Sequence, residues 1–306
     1  MTHLLRVAPT VAAALAGGRP VVALETTLVT HGLPHPDGLA VAAELERVVA
    51  ARGATPATIG ILDGALVVGL SADELARLAA TPGVEKANPG NLAAVLAAGA
   101  AGSTTVAATL LAADRAGIRV MATGGIGGVH RGAEVTGDVS ADLVALARHP
   151  VAVVCAGAKA VLDLARTREF LETLGVPVLG AGTTEFPAFY RRSSGLPVDR
   201  PCADAGEIAA IVRAHLALAT TGVVIANPVP AEHELAAEAC AVAIDRALAA
   251  ADAAGVRGRD VTPFLLDRMR SLTAGASVAV NRALLVANAA LAADVATALA
   301  RSPRSA

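Results

Sequence analysis

The chain has 306 residues, of which 54% are hydrophobic, 17% charged and 2% aromatic, with a formal net charge of −2. Its mean hydropathy of +0.58 is membrane-like. However, Asp, Glu and Arg interrupt the Ala-rich segments so often that no run of about 18 apolar residues is unbroken, and no spanning helix is expected. Near-neutral charge, one Tyr and no Trp argue against a nucleic-acid-binding surface. Cys155, Cys202 and Cys240 form no CxxC pair, which speaks against a disulfide framework or zinc site and for a reducing, cytoplasmic setting.

Strand-like and helical signals alternate along the chain. Val11 to Leu15, just after Pro9, reads as a first helix rather than a signal peptide. Apolar runs at Val21–Val29, Thr58–Leu62, Ile118–Ala122, Val151–Ala156, Val176–Leu179 and Gly222–Ala226 suit strands buried on both faces. Helices are expected over Asp37–Ala51, Lys159–Leu174 and Ala205–Leu218. Ser71 to Glu74 has the spacing of a capping box. Asp63-Gly64 between two apolar runs predicts a tight hairpin and hence a mixed sheet. From Glu232 the pattern is helical apart from a loop over Gly255–Pro263. No linker and no repeat divides the chain. The expected architecture is one α/β domain over 1–306, a three-layer α/β/α sandwich around a mostly parallel (mixed) sheet with a helical C-terminal section.

Chemistry-bearing residues concentrate where strands end. The segment Thr123-Gly-Gly-Ile-Gly-Gly-Val-His-Arg-Gly directly follows a strand, and glycines there let backbone N–H groups approach an anion. It lacks the third glycine of a dinucleotide fingerprint, so phosphate or a sugar phosphate is the expected ligand. Asp138-Val-Ser-Ala-Asp142 reads equally well as a capped helix start or as a set of groups for sugar hydroxyls or a divalent cation. His31, His35 and His130 match no zinc spacing, and each alone is more simply a satisfied polar residue.

Two residues stand out. Lysine occurs only at Lys86 and Lys159. Lys159 follows a buried strand and a Gly-Ala turn, at the sheet edge where open α/β folds bind ligands. An amine desolvated there attacks carbon electrophiles more readily. Glu25 ends the buried run Val21 to Leu24, and a carboxyl in that position suits a general acid. A Schiff-base lyase or aldolase acting on a sugar phosphate, and a non-catalytic sugar-phosphate-binding protein, both fit these features.

VVALETTLVTHGLPHP from Val21, VMATGGIGGVHRGAEVTGDVSADL from Val120 and VVCAGAKAVLDLARTREFLETLGVPVLG from Val153 resemble the pseudouridine-5′-phosphate glycosidase family, also called indigoidine-synthase-A-like. ANPVP at Ala226, TPFLL at Thr262 and the segment Ser277–Asn288 extend the likeness over nearly the whole chain. The resemblance implies reversible hydrolysis of pseudouridine 5′-phosphate to ribose 5-phosphate and uracil, one manganese ion per subunit, and a homotrimer. By motif it implies Lys159 as nucleophile, Glu25 as proton donor and Asp138 as metal ligand. Lys86, Val106, Ser140, Ala141 and Asp142 fall on substrate-contact positions, and His130 and Asn281 match residues near the uracil or phosphoribose. Around Lys86 the chain reads KANPGNL, without the arginine pair of some members.

Overall fold

The computed structural model describes residues 4–33, 36–256, 258 and 261–301. Among these residues eleven strands form one sheet: β1 (Leu5–Val7), β2 (Val21–Leu24), β3 (Thr55–Leu62), β4 (Ala65–Val68), β5 (Glu85–Ala87), β6 (Gly102–Thr104), β7 (Val120–Ala122), β8 (Ala152–Cys155), β9 (Val178–Ala181), β10 (Arg200–Cys202) and β11 (Val223–Ala226). The main path runs β1-β4-β3-β2-β7-β8-β11-β9-β10, with β6 pairing to β3 and β5 to β6. Pairing is parallel except where β3 meets β4 and β6. The β3–β4 turn is Asp63-Gly64, as expected, with both residues at positive φ, 53° and 73°. That backbone matches the twist of the two strands it joins.

Among the described residues twelve α-helices surround the sheet: α1 (Pro9–Ala16), α2 (Asp37–Ala51), α3 (Ala72–Ala80), α4 (Leu92–Ala97), α5 (Val106–Ala116), α6 (Ala133–Thr136), α7 (Ala141–Leu146), α8 (Leu164–Thr173), α9 (Ala205–Leu218), α10 (Ala237–Ala253), α11 (Val261–Leu272) and α12 (Ala276–Arg301). The capping box at α3 is complete, with Ser71 and Glu74 each bonding the other's backbone N–H. By length and composition α12 alone among the described helices is apolar enough to cross a membrane. It packs instead against α2 and α9 and across β2, β7 and β8, burying Leu284, Leu285, Ala289, Ala292 and Ala293.

Several expectations are corrected. The apolar run from Val21 leaves the sheet after Leu24 and makes a π-helical turn, Leu28–Gly32. Leu28 and Val29 bury themselves there beside α2, where a side chain at Gly38 would lie 2.8 Å from the Val29 carbonyl oxygen. Apolar content alone does not separate a short strand from a helical turn. The helix expected from Lys159 begins at Leu164, because Asp163 caps it by accepting from the Arg166 N–H at 3.0 Å. The acids of Asp138-Val-Ser-Ala-Asp142 do not cap α7 either; the Ser140 hydroxyl does, accepting from the Asp142 N–H. The loop expected over Gly255–Pro263 gives way to helix at Val261, and Arg257, Arg259 and Asp260 lie outside the described residues.

Candidate active site

The chain passes from β2 to β3 on one side of the sheet and from β7 to β8 on the other, so its direction switches between β2 and β7. Ligands in open α/β sheets bind outside the strand carboxyl ends at such a switch. Glu25 follows β2, Thr123 follows β7, and Lys159 lies just beyond β8; all three line one pocket.

Glu25 is only 8% exposed, and its two carboxylate oxygens accept from the hydroxyls of Thr27 and Thr123. Behind it, buried Thr26 donates to the Ile59 carbonyl at 2.7 Å and accepts from the Thr104 N–H at 2.9 Å. Thr104 donates to the same carbonyl. These bonds lock the end of β2 onto β3 and β6, so the carboxyl has a rigid base.

Lys159 sits in the turn after β8. Its Nζ donates to the Gly125 carbonyl at 2.7 Å, and its backbone N–H bonds the Ile126 carbonyl at 3.1 Å. Gly157 makes that turn possible with φ of 78°. A side chain there would lie 2.1 Å from the Pro187 carbonyl oxygen, so both conformation and space demand glycine. Neighbouring Cys155 is fully buried, and burial pushes its thiol up to about 12. It is therefore no competing nucleophile at neutral pH.

The glycine loop packs tightly on Asp142, whose oxygens accept from the backbone N–H groups of Gly127 at 2.8 Å and Ala107 at 2.9 Å. A side chain at Gly127 would lie 2.2 Å from the Ser140 hydroxyl, so the loop lies flat on α7. Asp142 thus joins the loop to the start of α5, where Val106 also lines the pocket.

Lys86, His130, Ser140 and Asn281 complete the wall. Both lysines of the chain therefore face one pocket. Burial, with Lys159 and Lys86 nearby, lowers the His130 imidazole below its ordinary range against the pull of Asp138. Burial and Lys86 do the same to His31, opposed by Glu85. With values lowered in this way, both rings enter as neutral hydrogen-bonding groups at neutral pH.

Two expected site residues stand apart from the lining. Ala141 is exposed at the start of α7. Asp138 is half-buried, with its carboxylate 3.9 Å from His130 Nδ1. Among the described residues no three His, Cys, Asp or Glu side chains gather as a metal cage. One carboxylate with one imidazole suits a hydrated divalent ion that takes its other ligands from water and substrate. His35 lies outside the described residues. Thr27, Thr123 and Phe189 also line the pocket, and the sequence had assigned none of them a site role.

This fold, with a carboxyl and an amine held at the carboxyl ends of β2 and β8, the parallel strands on either side of β7, defines an α/β protein with a pocket at its topological switch. Residues 10–298 match the family model described as indigoidine synthase A like protein. The chain belongs to the indigoidine synthase A-like family. It is 57% identical over 302 residues to the pseudouridine-5′-phosphate glycosidase of Rhodospirillum centenum, covering 98% of this chain and 94% of that one. The Sorangium cellulosum protein of the same name is 51% identical over 296 residues, 96% and 93% of the two chains. The crystal structure of prealnumycin C-glycosynthase with ribulose 5-phosphate superposes with a TM-score of 0.90 at 39% identity, covering 97% of each chain. An indigoidine synthase A-like protein of Thermotoga maritima gives 0.88 at 34% identity, covering 98% of each.

Proposed function

We propose that this chain reversibly hydrolyses the C–C glycosidic bond of pseudouridine 5′-phosphate, giving ribose 5-phosphate and uracil. The observation that carries the reading is that Lys159 and Glu25 line one pocket, tied to the same strand-end segment after β7. The names of the similar glycosidases, and a neighbour that binds a pentulose phosphate, support the substrate class.

A carbon leaving group is not released by protonating an oxygen, as in ordinary glycosidases. The Lys159 amine attacks C1′, and the C1′–O4′ bond breaks to open the ribose, with the O4′ oxygen taking up a proton. Glu25 then delivers a proton to C5 of the uracil. As the C1′–C5 bond breaks, the nitrogen lone pair forms a C1′=N double bond to Lys159. Water adds to this imine and frees ribose 5-phosphate and the amine. Lys86 lines the pocket and offers the phosphate a cation, while the loop N–H groups of Ile126, Gly127, Val129 and His130 are already bonded within the protein. Asp138, with His130 beside it, would hold manganese, which when bound supplies a Lewis acid for substrate oxygens.

Uracil release followed by chromatography tests the activity, and borohydride trapping with mass spectrometry at Lys159 tests the adduct. No uracil from the purified, manganese-supplemented protein overturns the reading. Labelling at another residue overturns the role of Lys159. We also propose a homotrimer, checked by light scattering, and a cytoplasmic place in pseudouridine breakdown. The three free, buried cysteines fit a reducing compartment, and cell fractionation checks it.

A further inference from the structure

Helix α12 carries one polar side chain through an otherwise apolar stretch. Asn288 has no exposed surface and lies between Leu284, Leu285, Ala289 and Ala292, all buried. An amide buried there is unfavourable unless it is bonded, and this one is bonded at both ends. Its Nδ2 donates to the Thr123 carbonyl at 2.8 Å and reaches the Gly124 carbonyl at 3.4 Å. Its Oδ1 accepts from Asn227 Nδ2 at 2.9 Å. Asn227 in turn donates its backbone N–H to the Cys155 carbonyl at 2.8 Å. The two carbonyls facing Nδ2 accept only, so the orientation of the amide is unambiguous.

What Asn288 holds is the segment on which both reacting groups depend. The Thr123 hydroxyl bonds Glu25, and the Gly125 carbonyl accepts from Lys159. The rest of the segment is stitched to β8, with the Thr123 N–H on the Val154 carbonyl and the Ala156 N–H on the Gly124 carbonyl. Those bonds fix its height above the sheet. Asn288 fixes it from the helix side.

We infer that Asn288 is a positioning residue: by clamping the Thr123 and Gly124 carbonyls it sets the placement of Glu25 and Lys159 relative to each other, and Asn227 orients it. The inference rests on the proposed lysine chemistry for its kinetic consequence, though not for its geometry. It is a role for a residue two helical turns beyond Asn281, which itself lines the pocket.

The test uses three variants of the full chain. Asn288→Asp keeps the shape but turns a carboxylate towards two carbonyls. Asn288→Leu removes both polar atoms at similar volume. Asn227→Ala leaves α12 intact and removes only the orienting bond. A misplacement of about 1 Å costs on the order of 100-fold in rate, so both Asn288 variants are expected to lose at least about 10-fold in kcat. KM should stay within about threefold, and Asn227→Ala should show a smaller loss of the same kind.

A purely structural role would lower Tm while leaving kcat per folded molecule at the wild-type value, and that result overturns the inference. Crystal structures of wild type and Asn227→Ala decide the geometry independently, even if both Asn288 variants fail to fold. Displacement of Thr123 from Glu25 supports the inference, and an unchanged segment overturns it. If wild type itself releases no uracil, the functional reading falls, while the crystallographic comparison still decides the clamp.

Discussion

Glu25 and Lys159, which lie 134 positions apart in the chain, are held by one short turn. The hydroxyl of Thr123 bonds Glu25, and the carbonyl of Gly125 bonds Lys159 Nζ at 2.7 Å. A shift of that turn therefore moves both groups together. Replacing either group should block a different step. Lys159→Arg keeps charge and reach, but its guanidinium stays protonated, so neither turnover nor a borohydride-trapped adduct is expected. Glu25→Gln leaves the amine free to attack, so a ring-opened amine adduct still containing uracil should accumulate without any borohydride, while kcat falls about 10²–10⁴-fold. Intact mass spectrometry separates the two.

Thr123→Val removes one hydroxyl bond from Glu25 and leaves the backbone bonds of the turn in place. A typical hydrogen bond contributes only about 0.5–1.5 kcal/mol to stability, whereas a shift of about 1 Å in a reacting group costs on the order of 100-fold in rate. The expected result is at least a 10-fold fall in kcat with little change in thermal stability, measured by uracil release and calorimetry.

Much of the fold was legible because β2, β8 and β11 are buried on every residue and read as continuous apolar runs. Of the three-residue strands, β1, β5, β6 and β10 were not expected from the sequence, whereas β7 was read from its apolar run; the pairing of those four comes from the neighbours they meet. Val21–Val29 was read too long because Leu28 and Val29 are as apolar in a helical turn as in a strand. In the site, Lys159 and Glu25 were recognisable from position. Thr27, Thr123 and Asn288 were not, because a hydroxyl or amide acquires its role only from what tertiary packing brings against it.

Asp142 lies at a motif position expected to meet substrate, and in the fold its two oxygens are taken by the N–H groups of Gly127 and Ala107. Asp142→Asn would turn an amide donor towards one of these donors. An unsatisfied buried group costs about 1–3 kcal/mol, so urea midpoints should show a loss of that size. A variant as stable as wild type would show that the Gly127 and Ala107 bonds are dispensable.

Gly157 is the steric pivot of the Lys159 turn. An added side chain meets both a left-handed backbone, costing about 1–2 kcal/mol, and the Pro187 carbonyl oxygen, which forces repacking worth about 1–3 kcal/mol. Gly157→Ala is therefore expected to lose roughly 2–5 kcal/mol in equilibrium unfolding and to lose activity through displacement of Lys159. Retained stability and activity would mean that residues 157–159 relax without consequence.

Glu46 on α2 gives a pH-dependent prediction away from the site. Burial raises its carboxyl above the ordinary range, and the Thr58 hydroxyl bond offsets this only in part. A folded-state value above the unfolded one means that the folded state holds its proton to higher pH. Stability from this group is then fully present below the unfolded value, about 4.3, and is lost as pH rises through the folded value. Glu46→Gln stays neutral throughout and still accepts from Thr58 through its amide oxygen. The variant should therefore be more stable than wild type at pH 7, with the difference shrinking towards zero near pH 4. Urea midpoints of the two proteins at both pH values measure this directly, since titrations elsewhere in the chain cancel between them. A difference that grows on acidification would reverse the sign and show that the carboxylate of Glu46 is favoured in the folded protein.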